Sequence, residues 1–191
     1  MDTSTSLLER LCAGPNPAGW RELVDLYTPL IRTWLGRHFL QAADADDLTQ
    51  QVLTVVVGKL PSFRHNGRCG AFRAWLRSIT VNALRSFRRS RPEATPPGGF
   101  DDVLDRLQDP ASELSRQWDR EHDEHVTRRA LRAIRPEFKP ATWLAFHRLV
   151  LDESDPRTAA AELGLSVNAV LIAKSRVLAR LRRELNGLVL D

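Results

Sequence analysis

Residues 72 to 91 read FRAWLRSITVNALRSFRRSR, and this stretch decides the fold. Its apolar residues recur at spacings of four and three, which is the period of one face of an α-helix. That face consists of Phe72, Leu76, Ile79, Ala83 and Phe87. The sequence therefore predicts an amphipathic helix whose other side is cationic and carries Arg73, Arg77, Arg88 and Arg91.

The helix lies within a segment of one-sided charge. Between Leu48 and Pro92 the chain has no Asp or Glu, but it has nine cations: Lys59, Arg64, Arg68, Arg73, Arg77, Arg85, Arg88, Arg89 and Arg91. Such segregation predicts a polyanionic partner, and nucleic acid is the leading candidate because aromatic rings that can stack on bases lie among the arginines. The alternative is that the last arginines only solubilise a helix end.

Composition sets limits on the class of protein. The 191 residues carry a formal charge of +4, and the basic segment is followed by an acidic stretch. Two distant cysteines, Cys12 and Cys69, indicate reduced thiols in a cytoplasmic protein. No apolar run approaches the length of a membrane span, and no catalytic constellation or phosphate-binding glycine loop can be assembled. We therefore expect a cytoplasmic protein that is not an enzyme and needs no cofactor.

Helical periodicity recurs along the chain and strand signals are almost absent, so the predicted fold class is all-α. Asp44 or Asp46 is available as the N-cap of a second helix, and Pro61 should end that helix. The predicted helices run from about Trp20 to Phe39, Asp44 to Leu60, Phe72 to Phe87, Ser112 to Ile134, Ala141 to Leu151, Arg157 to Leu163 and Ser166 to Leu185.

Prolines, glycines and acids cluster between Arg91 and Pro110, which predicts a flexible linker with a short helical turn at Val103 to Leu107. The linker divides the chain into two small helical domains. The predicted units are residues 1–91, a linker at 92–111 and residues 112–191.

The last two helices have helix-turn-helix spacing. Gly164 supplies the turn, Ser166 caps the second helix, and Ala160 is small where the helices approach each other. The exposed start of the second helix is then available for phosphate contacts and base reading. The predicted duplex-binding residues are Arg157, Ser166, Asn168, Ala169, Ile172, Lys174 and Arg176.

Two histidines, His122 and His125, lie among four acids and raise the possibility of a metal site. Their spacing lacks a third ligand, so we interpret the segment as a solvated helix face and predict no metal.

Three strings carry a family resemblance: DADDLTQQVL at residues 44–53, FRAWLRSITVNALR at 72–85 and AAELGLSVNAV at 160–170. In order and separation they resemble conserved regions two and four of an extracytoplasmic-function (ECF) sigma factor, a minimal class without region three. The resemblance covers most of the chain. It implies a promoter-specificity subunit of bacterial RNA polymerase built from two helical domains.

The resemblance implies that the helix beginning at Asp44 docks on the clamp helices of the largest polymerase subunit. Gln51 stands where the family more often has Glu, which leaves hydrogen bonding to the partner in place. The residues carried over to core-polymerase binding are Asp44, Asp47, Leu48, Gln51 and Val52. The alternative for Asp44 and Asp47 is that they only cap their helix.

The helix that contains Trp75 resembles the promoter-opening segment, in which a flipped nontemplate base enters a pocket formed with the preceding loop, Phe63 to Gly70. Trp75 would stack on the base and Asn82 would reach a base edge. The implied contacts to the start-proximal element are Arg73, Trp75, Arg77, Asn82, Arg85, Arg88 and Arg89. The alternative for Trp75 is a place in the hydrophobic core.

The terminal helix-turn-helix resembles the domain that reads the upstream promoter element. Family members often have basic residues where this chain has Leu171, Ile172 and Ala173, which predicts upstream recognition that is weaker, shifted or assisted by a partner. The family also implies an anti-sigma factor as a partner and a monomer when free. A different class fits the same helix-turn-helix: a dimeric transcriptional regulator that binds duplex operator DNA.

Overall fold

The computed structural model describes residues 7–14, 16–38, 40–63, 70–92 and 99–190. Within these residues the secondary structure is helical, apart from one isolated bridge between Asn186 and Leu190, so the all-α prediction is confirmed. None of the described helices is long and apolar enough to cross a membrane. The helices are α1 (Leu7–Cys12), α2 (Pro17–His38), α3 (Ala42–Lys59), α4 (Ala71–Ser90), α5 (Phe100–Gln108), α6 (Glu113–Ile134), α7 (Pro140–Val150), α8 (Pro156–Leu163) and α9 (Val167–Leu185).

α2 starts three residues before the predicted Trp20. Asn16 explains the difference, because its side-chain oxygen accepts a hydrogen bond of 2.8 Å from the Gly19 N–H and Pro17 occupies the first helical position. Pro29 lies inside the helix without ending it. Apolar side chains at spacings of three and four along this helix form one buried stripe: Leu23, Leu26, Tyr27, Leu30, Ile31 and Trp34.

The predicted N-cap of α3 is wrong. The helix begins at Ala42 after Gln41, so Asp44 and Asp46 lie inside it. Asp44 belongs to the first turn, where its negative charge still favours the positive end of the helix. Pro61 follows the helix in a short 3-10 turn, Leu60–Ser62, as expected of a residue that cannot continue an α-helix.

The segment predicted as a linker contains a nine-residue helix, α5, which is longer than the expected turn at Val103 to Leu107. It forms because Phe100, Leu104 and Leu107 share one face and all three are buried. Residues 93–98, also predicted as linker, lie outside the described residues. Ser112 then caps α6 by accepting a hydrogen bond from the Ser115 N–H at 3.0 Å.

One continuous apolar core links α1–α6 to the end of α9. Trp118 of α6 packs edge-on against Trp34 of α2, with ring centroids 4.9 Å apart. α6 contacts α2 and α4 on one side and α9 on another. The division at residues 91 and 112 stays a prediction, and in this arrangement α6 packs against the helices before it as well as those after it.

The first and last described elements also meet. Gly187, at φ 75°, lies against Leu8, and the Asn186 side chain donates a hydrogen bond of 3.3 Å to the Glu9 carboxylate. Leu8 and Leu188 are both buried in the main core. α1 therefore contacts residues about 180 positions away in the sequence, in addition to α2 and the turn Leu60–Ser62.

α7, α8 and α9 enclose a second, smaller core of mainly alanine side chains. The predicted turn is confirmed, because Gly164 follows α8 at φ 64°, a left-handed conformation that glycine adopts without a side-chain clash. The predicted cap is confirmed as well, since the Ala169 N–H donates to the Ser166 hydroxyl oxygen at 3.1 Å. The core residues are Ala145, Leu149, Ala159, Ala160, Val170 and Ala173.

Candidate nucleic-acid interface

α4 presents three different sides. The predicted apolar face packs into the core, with Phe72, Leu76, Ile79 and Phe87 buried. A second side meets α5 and α6. The third side is an open ridge on which Ser78, Asn82, Ser86 and Arg89 are exposed and Trp75 is half-buried. Some arginines of this helix lie on the side that meets α5 and α6, and Arg89 lies on the open ridge.

The first two arginines of α4 are held by carboxylates of α6. Arg77 donates to Asp119 at 2.7 Å, and Arg73 donates to Asp123 at 2.6 Å while its Nε lies 3.6 Å from Asp119. The prediction of a solvent-facing arginine side is wrong for Arg77, which is only 5% exposed. Burial raises the pKa of the Asp119 carboxyl although both guanidinium groups oppose the shift. These contacts place negative charge where phosphates were expected.

A buried histidine extends this network to α2. The His122 Nδ1 lies 3.0 Å from Asp123, and its Nε2 lies 3.1 Å from the Tyr27 hydroxyl. Because a carboxylate only accepts hydrogen bonds, Nδ1 carries the proton and the Tyr27 hydroxyl donates to Nε2. The interpretation of this segment as a solvated face is wrong at His122, which is fully buried.

The ionisation of both ring-bearing groups follows from their surroundings. Burial lowers the pKa of His122, although the hydrogen bond to Asp123 acts in the opposite direction. Burial, with the Asp123 charge as the second cause, raises the pKa of Tyr27 well above its usual value. Both groups are therefore neutral at pH 7, and the network stays closed there. Within the described residues no group of side chains could hold a metal ion.

The later arginines of α4 meet α5. Arg85 donates to Asp105 at 2.7 Å, and Arg88 pairs with Asp101 while lying over the Phe100 ring, 5.5 Å from its centroid. Among the residues predicted to meet the start-proximal element, Arg89 and Asn82 are exposed on the open ridge instead.

Arg91 just beyond α4 lies 3.1 Å from Asp44 of α3. This ion pair leaves the Asp44 carboxylate half-buried at the edge of the predicted docking helix.

Trp75 is neither free in solvent nor sealed in the core. Its ring lies 5.0 Å from that of Phe63 and 5.5 Å from that of Phe72, measured between centroids, and the side chain is half-buried. The three rings form an aromatic cluster at one end of the open ridge. The predicted base pocket also includes the loop after Phe63, and residues 64–69 of that loop lie outside the described residues.

The exposed face of α3 carries part of the predicted polymerase-binding set. Asp47 and Gln51 are exposed, but Leu48 and Val52 are fully buried. The prediction that these two apolar residues bind the polymerase is wrong for direct contact, because they form the packing face that orients the helix. A shallow groove on the outside is lined by Asp47, Gln50, Gln51, Thr54 and Val55.

Sequence reasoning missed three of those groove residues, Gln50, Thr54 and Val55. The exposure of Val55, 37%, is unusual for an apolar side chain on a helix that has its own buried stripe. The spacing of Asp47, Gln51 and Val55 by four residues is the signal that would have found this face.

The residues predicted to read duplex DNA are distributed around the start of α8 and the first half of α9. Arg157, Asn168, Ile172 and Arg176 are exposed, and Lys174 and Ala169 are partly buried. The Ser166 oxygen is used as the helix cap, which leaves its hydroxyl hydrogen free to donate. Asn168, Ile172 and Arg176 follow one another at spacings of four residues on α9 and are all exposed, so they share one face of that helix.

The chain was compared with known protein families, and one family model matches its amino-terminal part. Residues 23–92 match the family model described as sigma-70 region 2. Among curated proteins none matches this chain. The matched residues include most of α2 and the whole of α3 and α4, so the match supports a sigma-70 region 2 domain in this part of the chain. Proteins of that family are transcription initiation factors.

Proposed function

We propose that the chain is an ECF-class sigma factor that binds core RNA polymerase, recognises a two-part promoter and helps to melt the start-proximal element. The observation that carries the proposal is the region 2 match, because it spans both the exposed face of α3 and the open ridge of α4. A cytoplasmic location and an anti-sigma partner are part of the same proposal.

Core binding is assigned to the outside of α3. Asp47, Gln51 and Val55 are exposed one turn apart and offer a carboxylate, an amide and an apolar side chain to a helical partner. Leu48 and Val52 act from beneath, by holding this face against the core. The α3 surface therefore suits a polar interface with a small apolar centre.

Strand capture is assigned to the open ridge of α4. Removing a base from its stack costs on the order of a few kcal/mol, and stacking on one aromatic side chain returns roughly 1–3 kcal/mol. Trp75 therefore needs help from phosphate attraction, for which Arg89 is the exposed cation on this ridge. Asn82 lies between the two and can offer its amide to a base edge.

The α6 carboxylates oppose that capture. As long as Asp119 and Asp123 hold Arg77 and Arg73, those arginines cannot bind phosphates and the acids repel a nucleic-acid backbone. Full engagement of α4 therefore requires α6 to move away.

Run-off transcription with purified bacterial core polymerase tests the proposal. We expect start-site-specific transcripts from a genomic promoter library only when the chain is added. A chain that binds a palindromic duplex as a dimer without polymerase, and gives no transcripts with it, would instead be a helix-turn-helix regulator. Light scattering distinguishes the monomer from the dimer.

A substitution on α3 tests the proposed binding to core polymerase separately. Asp47→Arg should weaken binding to core polymerase at least ten-fold, because it reverses the one charge among the groove residues of the exposed α3 face. Asp25→Arg, an exposed charge reversal on α2, is the matched control. Equal core affinity of the two variants in a pull-down titration would remove Asp47 from the docking surface.

A further inference from the structure

The outer face of α9 is apolar where a phosphate-binding helix would be basic. Val167, Leu171 and Ile172 are 39%, 44% and 43% exposed. Asn168 is exposed between them, and α9 has no acid before Glu184. Three large apolar side chains within two turns form a patch that needs a physical explanation.

Packing within the chain does not explain the patch. The opposite side of α9 makes the contacts with α7 and α8, through Val170, Ala173 and Val177, which are all buried. The exposed residues lie in the first half of the second helix of a helix-turn-helix. This is the part of the motif that enters the major groove of duplex DNA.

Charge identifies DNA as the occupant of this face. The exposed cations Arg157, at the start of α8, and Arg176, nine residues along α9 from Val167, belong to the same helix pair as the apolar patch. Nearby acids are already engaged: Asp155 caps α8, and Glu162 pairs with Arg148 at 3.1 Å. Cations beside an apolar centre fit phosphates beside base edges.

The residue types in the patch indicate which bases it would contact. Thymine is the only base that shows a methyl group in the major groove, and apolar side chains contact it there. Asparagine pairs with the N6 and N7 of adenine, whereas guanine is read by Arg or Lys. Asn168, Leu171 and Ile172 lie within about one helical turn, a rise of about 5.4 Å. They can therefore reach neighbouring base pairs.

We infer that α9 reads A·T base pairs, with Leu171 and Ile172 against thymine methyl groups and Asn168 against adenine. This inference rests on the proposed function, in which the helix-turn-helix binds the upstream promoter element. It adds Leu171 as a specificity-determining residue and explains why apolar residues replace cations at these positions.

Uracil substitution tests the inference. Sequences bound by the full chain, with and without core polymerase, are first selected from random duplex DNA, and each thymine of the selected element is then replaced by uracil. Uracil keeps the hydrogen-bonding groups of thymine and lacks only the methyl. We expect binding to fall about four-fold for each contacted thymine, the equivalent of about 0.8 kcal/mol for one buried methylene-sized group.

Variants link the methyl groups to named side chains. Leu171→Ala and Ile172→Ala should each weaken binding to the thymine element and abolish the uracil effect at one position. Leu144→Ala removes a leucine that is 50% exposed on α7 and is the matched control. Thermal unfolding of each variant establishes that the fold is retained.

Three results would overturn the inference: a selected element without A·T pairs, equal binding of thymine and uracil duplexes, or Leu171→Ala that impairs core-polymerase binding but not DNA binding. The last result would make the patch a protein-binding surface. Transcription that starts normally on uracil-substituted promoters would reject the inference alone, whereas failure to bind core polymerase would reject the proposed function. Absence of duplex binding with and without core would reject both.

Discussion

Both α4 and α9 carry predicted DNA contacts. Most of the predicted contact arginines of α4 already form ion pairs with acids of the same chain, whereas the start of α9 exposes apolar side chains. On α4, Arg73, Arg77, Arg85 and Arg88 pair with acids of α5 and α6. On α9 the first half is exposed and its outward face is apolar. A basic segment indicates a polyanionic partner, but the nearest anions can belong to the same chain. We call the ion-paired side of α4 the closed basic surface and the exposed start of α9 the open apolar surface.

Loss of one arginine from each surface should give the largest contrast. Arg77→Ala removes a buried guanidinium and leaves Asp119 without its closest partner, which should lower the free energy of unfolding by about 3 kcal/mol. Arg176→Ala, at an exposed position on α9, should change it by less than about 0.5 kcal/mol. Urea unfolding followed by circular dichroism measures both values, and equal losses would contradict the distinction between the two surfaces.

Removal of the indole from the open ridge of α4 comes next in size. Trp75→Ala should impair open-complex formation by roughly 1–3 kcal/mol, because one stacking surface for a flipped base is lost. Core binding should stay unchanged, since α3 is not altered. Permanganate footprinting of the promoter measures opening.

Trp75→Phe keeps an aromatic ring at this position and is the matched variant, which should retain most of the opening. If Trp75→Phe reduces opening as much as Trp75→Ala does, the stacking role of the ring is excluded.

The closed surface contains a buried histidine, His122, and the helix-turn-helix half has a half-exposed one, His147. Burial lowers the pKa of His122 below its ordinary value of about 6.5. As pH falls through that value the unfolded chain binds a proton that the folded chain does not, so stability decreases. We therefore expect a lower free energy of unfolding at pH 5 than at pH 7.

Burial raises the pKa of Asp119, and this shift has the opposite sign: it stabilises the fold as pH falls through the raised pKa, in a window that lies above the ordinary value of 3.8 and ends there. Comparison with His122→Gln, measured by urea unfolding across the pH range, isolates the histidine contribution. A wild-type slope that persists in His122→Gln would assign the pH dependence to another group.

The smallest expected effect concerns DNA binding by the free chain. Asp119→Asn combined with Asp123→Asn removes both charges that face Arg73 and Arg77, which should raise affinity for single-stranded DNA several-fold, or about 1 kcal/mol. Fluorescence anisotropy at low salt measures the change. Glu124→Gln removes an exposed acid on the same helix and is the control. An equal gain in affinity in this variant would show that net charge, and not release of Arg73 and Arg77, causes the effect.

Much of the fold follows from periodicity. The apolar stripes of α2 and α4, the Gly164 turn and the Ser166 cap are local patterns, so the sequence predicts them directly. The first turn of α3 was misassigned because three aspartates follow closely after Gln41 and each can cap a helix. N-cap preference is the same for all three aspartates, so the sequence alone does not identify the first residue of the helix.

The candidate site was harder to predict because it depends on tertiary packing. Arg77 looks exposed on an ideal helix, and only the position of α6, about 40 residues later, buries it against Asp119. His122 looks solvated among acids for the same reason, and its partner Tyr27 is 95 residues away. Leu48 and Val52 carry a family resemblance, but resemblance does not reveal which face of α3 points inward.

The contact between α1 and the Gly187 turn has a consequence for biosynthesis. The contact of Leu8 with Gly187 cannot form until residue 187 has emerged from the ribosome, so a nascent chain stalled before that point lacks this part of the packing around α1. Folding of this protein is therefore completed only after nearly all of these residues have been translated, and incomplete translation products should be preferred targets of chaperones and proteases.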